Sequence, residues 1–174
     1  MEAKKPLVIV MSRNHSTGLG VVRALGQAGY TVDLISSSHR TGASDYVAES
    51  KYVRNHVEVV SRKRGPFKGH KLLKALYAYT GNTEMDVETG EEIKIEPIVE
   101  CGDGSMVLLP TDDFTLAIVD ANREFLSQYF ILPGNSGSED GSLEEYMDYS
   151  FQQELAEKIG FKRFREWIVD LKKI

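Results

Sequence analysis

Apolar and polar positions follow two periods along this chain, and the change from one period to the other predicts its elements. Leu7, Val8, Ile9, Val10 and Met11 form a short unbroken apolar run rich in β-branched residues. That pattern suits a strand buried on both faces. A small polar loop at residues 12–16 follows. Val21, Val22, Leu25 and Ala28 then recur at helical spacing, with Ser16 or Thr17 as N-cap and Gly29 as the left-handed stop. Residues 30–36 return to a strand through Val32, Leu34 and Ile35. Strand, crossover helix and strand at this spacing predict parallel pairing of right-handed sense.

Further along, residues 43–49 suggest a short helical turn and residues 51–54 a third strand. Residues 55–66 suggest a connection, with Val57, Val59 and Val60 extended within it. Leu72, Leu73, Leu76, Tyr77 and Tyr79 predict a long helix over 68–80, ending at Gly81. Val87 and Ile93–Ile95 flank Glu88-Thr89-Gly90-Glu91-Glu92, so a hairpin insertion is expected within 82–100. The acidic residues of that stretch alternate with apolar ones, which marks the wet face of a strand pair more simply than a cation site. Residues 105–110 predict another buried parallel strand, led in by Gly102-Asp103-Gly104. Thr111 or Asp112 then caps an amphipathic helix running to Ser127. A final strand is expected at 129–132, a Gly/Ser-rich loop at 133–142 and a charged helix at 143–159 ending at Gly160. Phe161, Phe164, Trp167, Ile168 and Leu171 give the tail one apolar stripe with basic neighbours. The whole predicts an α/β fold: a mostly parallel, Rossmann-like sheet with helices on both faces and residues 7–11 near its centre.

Bulk numbers narrow the function classes. A chain of 174 residues is enough for one α/β domain with a proper core. Its hydrophobic content of 41% and charged content of 27% are ordinary for a globular protein. A net charge of -5 argues against a general nucleic-acid binder, whose affinity rests on clustered Lys and Arg. The basic cluster Arg62-Lys63-Arg64 is too short to change that. The single cysteine, Cys101, allows no internal disulfide and no cysteine-based zinc pattern, which fits a reducing cytoplasm. No apolar run approaches membrane-spanning length, and too few apolar residues follow MEAKKP for a signal peptide.

The candidate chemistry sits where the first strand ends. Gly18 and Gly20 invite comparison with a dinucleotide fingerprint, which the chain does not meet. Six residues separate Met11 from the first glycine, Arg23 occupies the third glycine position, and the second strand ends in Ser36-Ser37-Ser38 without a ribose-binding acid. Asp33 lies inside that strand. Ser12, Arg13, Asn14, Ser16, Thr17 and Gly18 instead offer hydroxyls, a cation and the unpaired N–H groups that open a helix, a ready anion site. Arg40, in the polar loop at the same sheet edge, and Thr111 with Asp112, opening the other helix, complete the candidate set. A solvated, capped loop with no ligand is the alternative at each of these positions. His39 reads more simply as a surface residue, and nothing in the sequence fixes a partner that would make His15 a general base.

The segments VIVMSRNHSTGLGVVRALGQAGYTVDLIS, SDYVAESKYV and VLLPTDDFTLAIVDANREFL occur in this order. Together they resemble the N-terminal, pre-ATP-grasp domain of ATP-grasp carboxylate–amine ligases, with D-aspartate ligase and related amino-acid ligases nearest. The resemblance covers about residues 7–53 and 106–160. It implies a pre-ATP-grasp domain over 1–160, and a tail at 161–174 that either begins an ATP-grasp region or packs as a helix. It also implies an enzyme that uses ATP and Mg²⁺ to activate a carboxylate as an acyl phosphate and then joins it to an amine. In that family the nucleotide- and metal-binding residues lie in later domains, so no catalytic, cofactor or metal residue is expected in this chain, which alone should be inactive. The family usually continues after the Gly160 position with Gly-x-Pro-x-Pro, whereas this chain reads Gly160-Phe161-Lys162-Arg163-Phe164. The expected partners are a small carboxylate or amino-acid substrate and the ATP-grasp domains of a parent protein, with a homodimer left open. Neither nucleic acid nor membrane is among them. A non-catalytic anion-binding or assembly module with the same fold is the alternative, since fold does not fix function.

Overall fold

Five consecutive apolar side chains find cover only at the middle of a sheet, and β1 (Leu7–Arg13) lies there. Leu7 through Met11 are all buried, each contributing about 1.5–3 kcal/mol relative to exposure. The structure is a computed structural model. It describes residues 5–13, 15–38, 45–60, 67–80, 83–85, 92–94, 104–134 and 149–161. The chain divides into two compact units, Met1–Asn135 and Ser136–Ile174.

The first unit is an α/β fold. The helix α1 (Ser16–Gln27) leads to β2 (Thr31–Ser38), which pairs with β1 in parallel from Leu7↔Thr31 to Arg13↔Ser37. Gly29, at φ 78, makes the left-handed turn that ends α1. The edge strand β3 (Val53–Val60) pairs with β2 in parallel. Next come α2 (Phe67–Thr80) and an antiparallel pair, β4 (Thr83–Met85) with β5 (Glu92–Lys94). That pair lies within the stretch where a hairpin was expected. The strand β6 (Met106–Pro110) then returns to the far side of β1, again in parallel. The four-stranded sheet therefore has the order β3-β2-β1-β6, all parallel. Behind β6 come α3 (Asp113–Ala121) and the single turn α4 (Arg123–Leu126).

Side chains alternate between the two faces of the sheet, as strand geometry requires. Val8, Val10, Val32 and Leu34 meet Val22 of α1 and Val47 on one face. Leu7, Ile9, Met11, Ile35, Val59 and Leu108 meet Leu72, Leu76 and Tyr79 of α2, and Ile118 and Val119 of α3, on the other. Helices thus cover both faces. The second unit contributes α5 (Tyr149–Lys158), which ends at Gly160 with φ 90. Among the described residues no helix is long and apolar enough to cross a membrane.

Several boundaries differ from expectation. The third strand runs to Val60 rather than stopping at Arg54, because its valines alternate with polar residues in the manner of an edge strand. The helix expected to reach Ser127 breaks at Asn122, where φ is -123 and Nδ2 donates to the Ile118 carbonyl at 2.8 Å. The expected strand at 129–132 reduces to one parallel bridge, Val107↔Ile131, held by Ile131 N–H to Met106 O at 2.8 Å and Leu108 N–H to Ile131 O at 3.0 Å. Part of the last helix (143–148), most of the tail (162–174) and the basic cluster at 62–64 lie outside the described residues.

Candidate functional site

The strand order turns back at β1. From it the chain moves outward through β2 and β3, then re-enters on the other side as β6. In an open parallel sheet the crevice at such a reversal, outside the carboxyl ends of the two strands, is where ligands bind. Here the two ends carry Ser12 and Arg13 on β1, and Thr111 and Asp112 just past β6. The pairing Met11↔Pro110 brings them alongside.

The two loops are tied together. Thr111 donates both its N–H and its Oγ1 hydroxyl to the Met11 carbonyl, each at 3.0 Å. Asp112 Oδ2 accepts from the Arg13 backbone N–H at 3.0 Å, and Oδ1 lies 3.2 Å from Arg13 Nε. The same carboxylate caps α3, accepting from Phe114 N–H and Thr115 N–H at 3.1 Å each, and Thr115 closes a capping box. Four donors converge on Asp112, close to the capacity of a carboxylate. It is a latch between β1 and α3, while the Arg13 side chain stays 52% exposed and passes over the Phe114 ring at 5.9 Å.

On the opposite face, α1 approaches β1 closely because Gly18 has no side chain. A Cβ there would come within 2.1 Å of Ser12 Oγ and 2.8 Å of Ser12 Cβ. The cap of α1 differs from expectation. Ser16 and Thr17 are already helical, and His15, extended at φ -138 and ψ 148, is the N-cap through its Nδ1, which accepts from Thr17 N–H at 3.3 Å. Its Nδ1 also lies 3.1 Å from Thr17 Oγ1. His15 is therefore engaged in capping. Of the candidate residues, Ser12, Arg13, Ser16, Thr17, Gly18, Thr111 and Asp112 are gathered at one end of β1 and β6. Asn14, Arg40 and His39 lie outside the described residues.

Two clusters escaped the sequence reading. Asp33, fully buried on β2, accepts from Arg54 Nε at 2.8 Å, Arg54 Nη2 at 2.7 Å, Asn55 Nδ2 at 3.3 Å and the Tyr79 hydroxyl at 3.2 Å. An acid inside an otherwise apolar strand was the available signal, since such a charge needs a partner. The second cluster joins Ser36, His56 and Asp45. Ser36 Oγ is 2.7 Å from His56 Nε2, and Asp45 Oδ2 is 3.6 Å from the same nitrogen. A catalytic relay needs the serine and the acid on opposite ring nitrogens, so this trio is not one. Asp45 Oδ1 also accepts from Val47 N–H and Ala48 N–H, which fixes the turn before β3. No group of three or more metal-ligating side chains occurs among the described residues. Compared with known proteins, the chain matches no family model, no curated protein and no solved structure.

Proposed function

We propose that this chain is the substrate-side domain of an ATP-dependent carboxylate–amine ligase, acting through an acyl phosphate. It holds a small carboxylate, such as that of an amino acid, at the carboxyl ends of β1 and β6. ATP and Mg²⁺ belong to other domains of the parent protein. The observation that carries this reading is the meeting of Ser12–Arg13 with Thr111–Asp112 at the reversal of strand order. Arg13 supplies the charge, and the start of α1 adds the positive end of its dipole. The helix dipole adds about 0.3–1 kcal/mol, and a charged hydrogen bond about 1.5–3 kcal/mol. Their sum, about 2–4 kcal/mol, corresponds to a Kd between about 1 and 50 mM.

An NMR titration of the whole chain with aspartate, other amino acids and simple carboxylates tests this. The amides of Thr17, Gly18 and Leu19 should shift with millimolar saturation, and Arg13→Met should weaken the response about tenfold or more. Shifts confined to other regions, or an unchanged Arg13→Met variant, overturn the site.

One observation favours a second reading, a non-catalytic anion-binding or assembly module. Asp112 and His15, two titratable side chains close to Arg13 at this edge, both serve as helix caps. The ligase reading expects one amino acid to bind in preference to others of equal charge. The module reading expects every small anion of matched charge to bind alike.

A further inference from the structure

An acid next to a cation that binds anions calls for a reason, since its charge repels the ligand. Asp112 is itself held fast. Its Oδ1 accepts from Phe114 N–H and Thr115 N–H, its Oδ2 accepts from Arg13 N–H, and its side chain is 11% exposed. Oδ1 also lies 3.2 Å from Arg13 Nε. The Arg13 side chain then passes over the Phe114 ring, with Cζ 5.9 Å from the ring centroid. Phe114 lies two residues after Asp112 in the first turn of α3, so carboxylate and ring come from one helix start. Arg13 is met at one edge by an acid and at one face by an aromatic ring.

A guanidinium carries five N–H groups in one plane, a single one on Nε and four on the two Nη nitrogens. Nε is the nitrogen set against Asp112. The Nη groups make no hydrogen bond among the described residues, and the side chain is 52% exposed. Their end of the fork offers two parallel N–H groups at the spacing of two carboxylate oxygens.

We infer, resting on the carboxylate site proposed above, that Asp112 and Phe114 are positioning residues for Arg13. They fix its guanidinium so that the Nη1/Nη2 end takes both oxygens of one carboxylate, and they act through Arg13 and not on the ligand. A side chain already held by edge and face loses little freedom when a ligand arrives. The arrangement also selects by shape. A planar carboxylate meets both N–H groups, a spherical anion meets only a charge, and a lysine in place of Arg13 would keep the charge without the fork. Asp112 thus has two opposed effects, repulsion of the carboxylate and a hold on its receptor. Positioning makes the hold the larger, so removal of the acid weakens binding. Repulsion alone would make removal strengthen it.

The experiment titrates the whole chain with acetate and with aspartate, against chloride at matched ionic strength. NMR follows the backbone amides and the Arg13 Nε–H and Nη–H signals in the wild type, Arg13→Lys, Asp112→Asn and Phe114→Leu. Asparagine caps helices as well as aspartate does, so α3 should persist in Asp112→Asn. Carboxylates should slow rotation of the Nη groups and resolve their signals in the wild type, and chloride should not. Arg13→Lys should weaken carboxylate binding about tenfold or more, and Phe114→Leu about three- to fivefold. Asp112→Asn should weaken it about threefold or more, and Arg13 Nε–H should exchange faster with water in that variant. Wild-type affinity in Arg13→Lys or Phe114→Leu overturns the positioning role, as does equal or tighter binding in Asp112→Asn. If Asp112→Asn loses α3, the other two variants decide. Weak binding in Arg13→Met with wild-type affinity in Arg13→Lys leaves the carboxylate site standing and removes only its fork, whereas wild-type affinity in Arg13→Met removes both.

Discussion

Asp33 shows how much one residue can organise. Between Val32↔Val53 and Leu34↔His56 the register of β2 against β3 shifts by one residue, so Arg54 and Asn55 both stand opposite Asp33. Both donate to it, which gives that bulge a chemical reason: two donors are delivered where a regular ladder would deliver one. A buried acid with four hydrogen bonds is stable, and the same acid lacking its cation is not. Asp33→Asn should therefore cost about 3 kcal/mol, the low end for breaking a buried pair, because the Arg54 side chain is 31% exposed and reaches water. Arg54→Met added to Asp33→Asn should cost much less than Arg54→Met alone, with a coupling of about 1–3 kcal/mol by urea denaturation. Additive losses would show that the pair does not act as a unit. The acid was visible in the sequence as a charge in an apolar strand. Its partners were not, since they come from β3 and from α2, which starts beyond it in the chain.

Among the elements, the helix starts show best what local pattern reveals and what it leaves out. The cap of α3 was legible because Asp112 is a strong capping residue followed by an apolar period. At α1 the same reasoning favoured Ser16 or Thr17, yet α1 already begins at Ser16, and His15 takes the position. Propensity alone could not place the cap, because two candidates stood side by side and the packing of Gly18 onto Ser12 fixes where the helix begins. An imidazole is outside the preferred capping set. His15→Ser should thus stabilise the chain by about 0.5–1 kcal/mol, and His15→Asp by a similar amount with a dipole contribution added. The two variants should part company in ligand binding. A fixed negative charge beside Arg13 and the start of α1 should weaken the amino-acid response in His15→Asp and spare it in His15→Ser. Thermal melts and the NMR titration in parallel check both halves, and a loss in His15→Ser would mean that the imidazole itself contacts the ligand.

For the molecule as a whole, the central strand β1 was legible and the edge strand β3 was not. The unbroken apolar run Leu7–Met11 can be satisfied only where both faces are covered, so sequence alone places it inside; β6, expected to be equally buried, is instead an edge strand of which Leu108 alone is buried. The valines of β3 carry a weaker message, because a half-exposed edge strand looks like a polar connection until its partner is known. The site was legible as two loops, and their contact required the strand order. This difference between centre and edge should also govern local stability. Opening β1 exposes side chains on both faces and breaks ladders with both β2 and β6, whereas β3 can leave with its one described ladder and a half-exposed face. Amides bonded between β1 and its neighbours should therefore exchange with solvent only on global unfolding, and those linking β3 to β2 should exchange sooner, through a partial opening. Part of β3 should resist that order: around Arg54 and Asn55 the opening must also break the bonds to Asp33. Asp33→Asn should then accelerate exchange along β3 more than along β6. Amide exchange followed residue by residue distinguishes this from a single cooperative unit, in which all four strands would share one protection value and the variant would lower it uniformly.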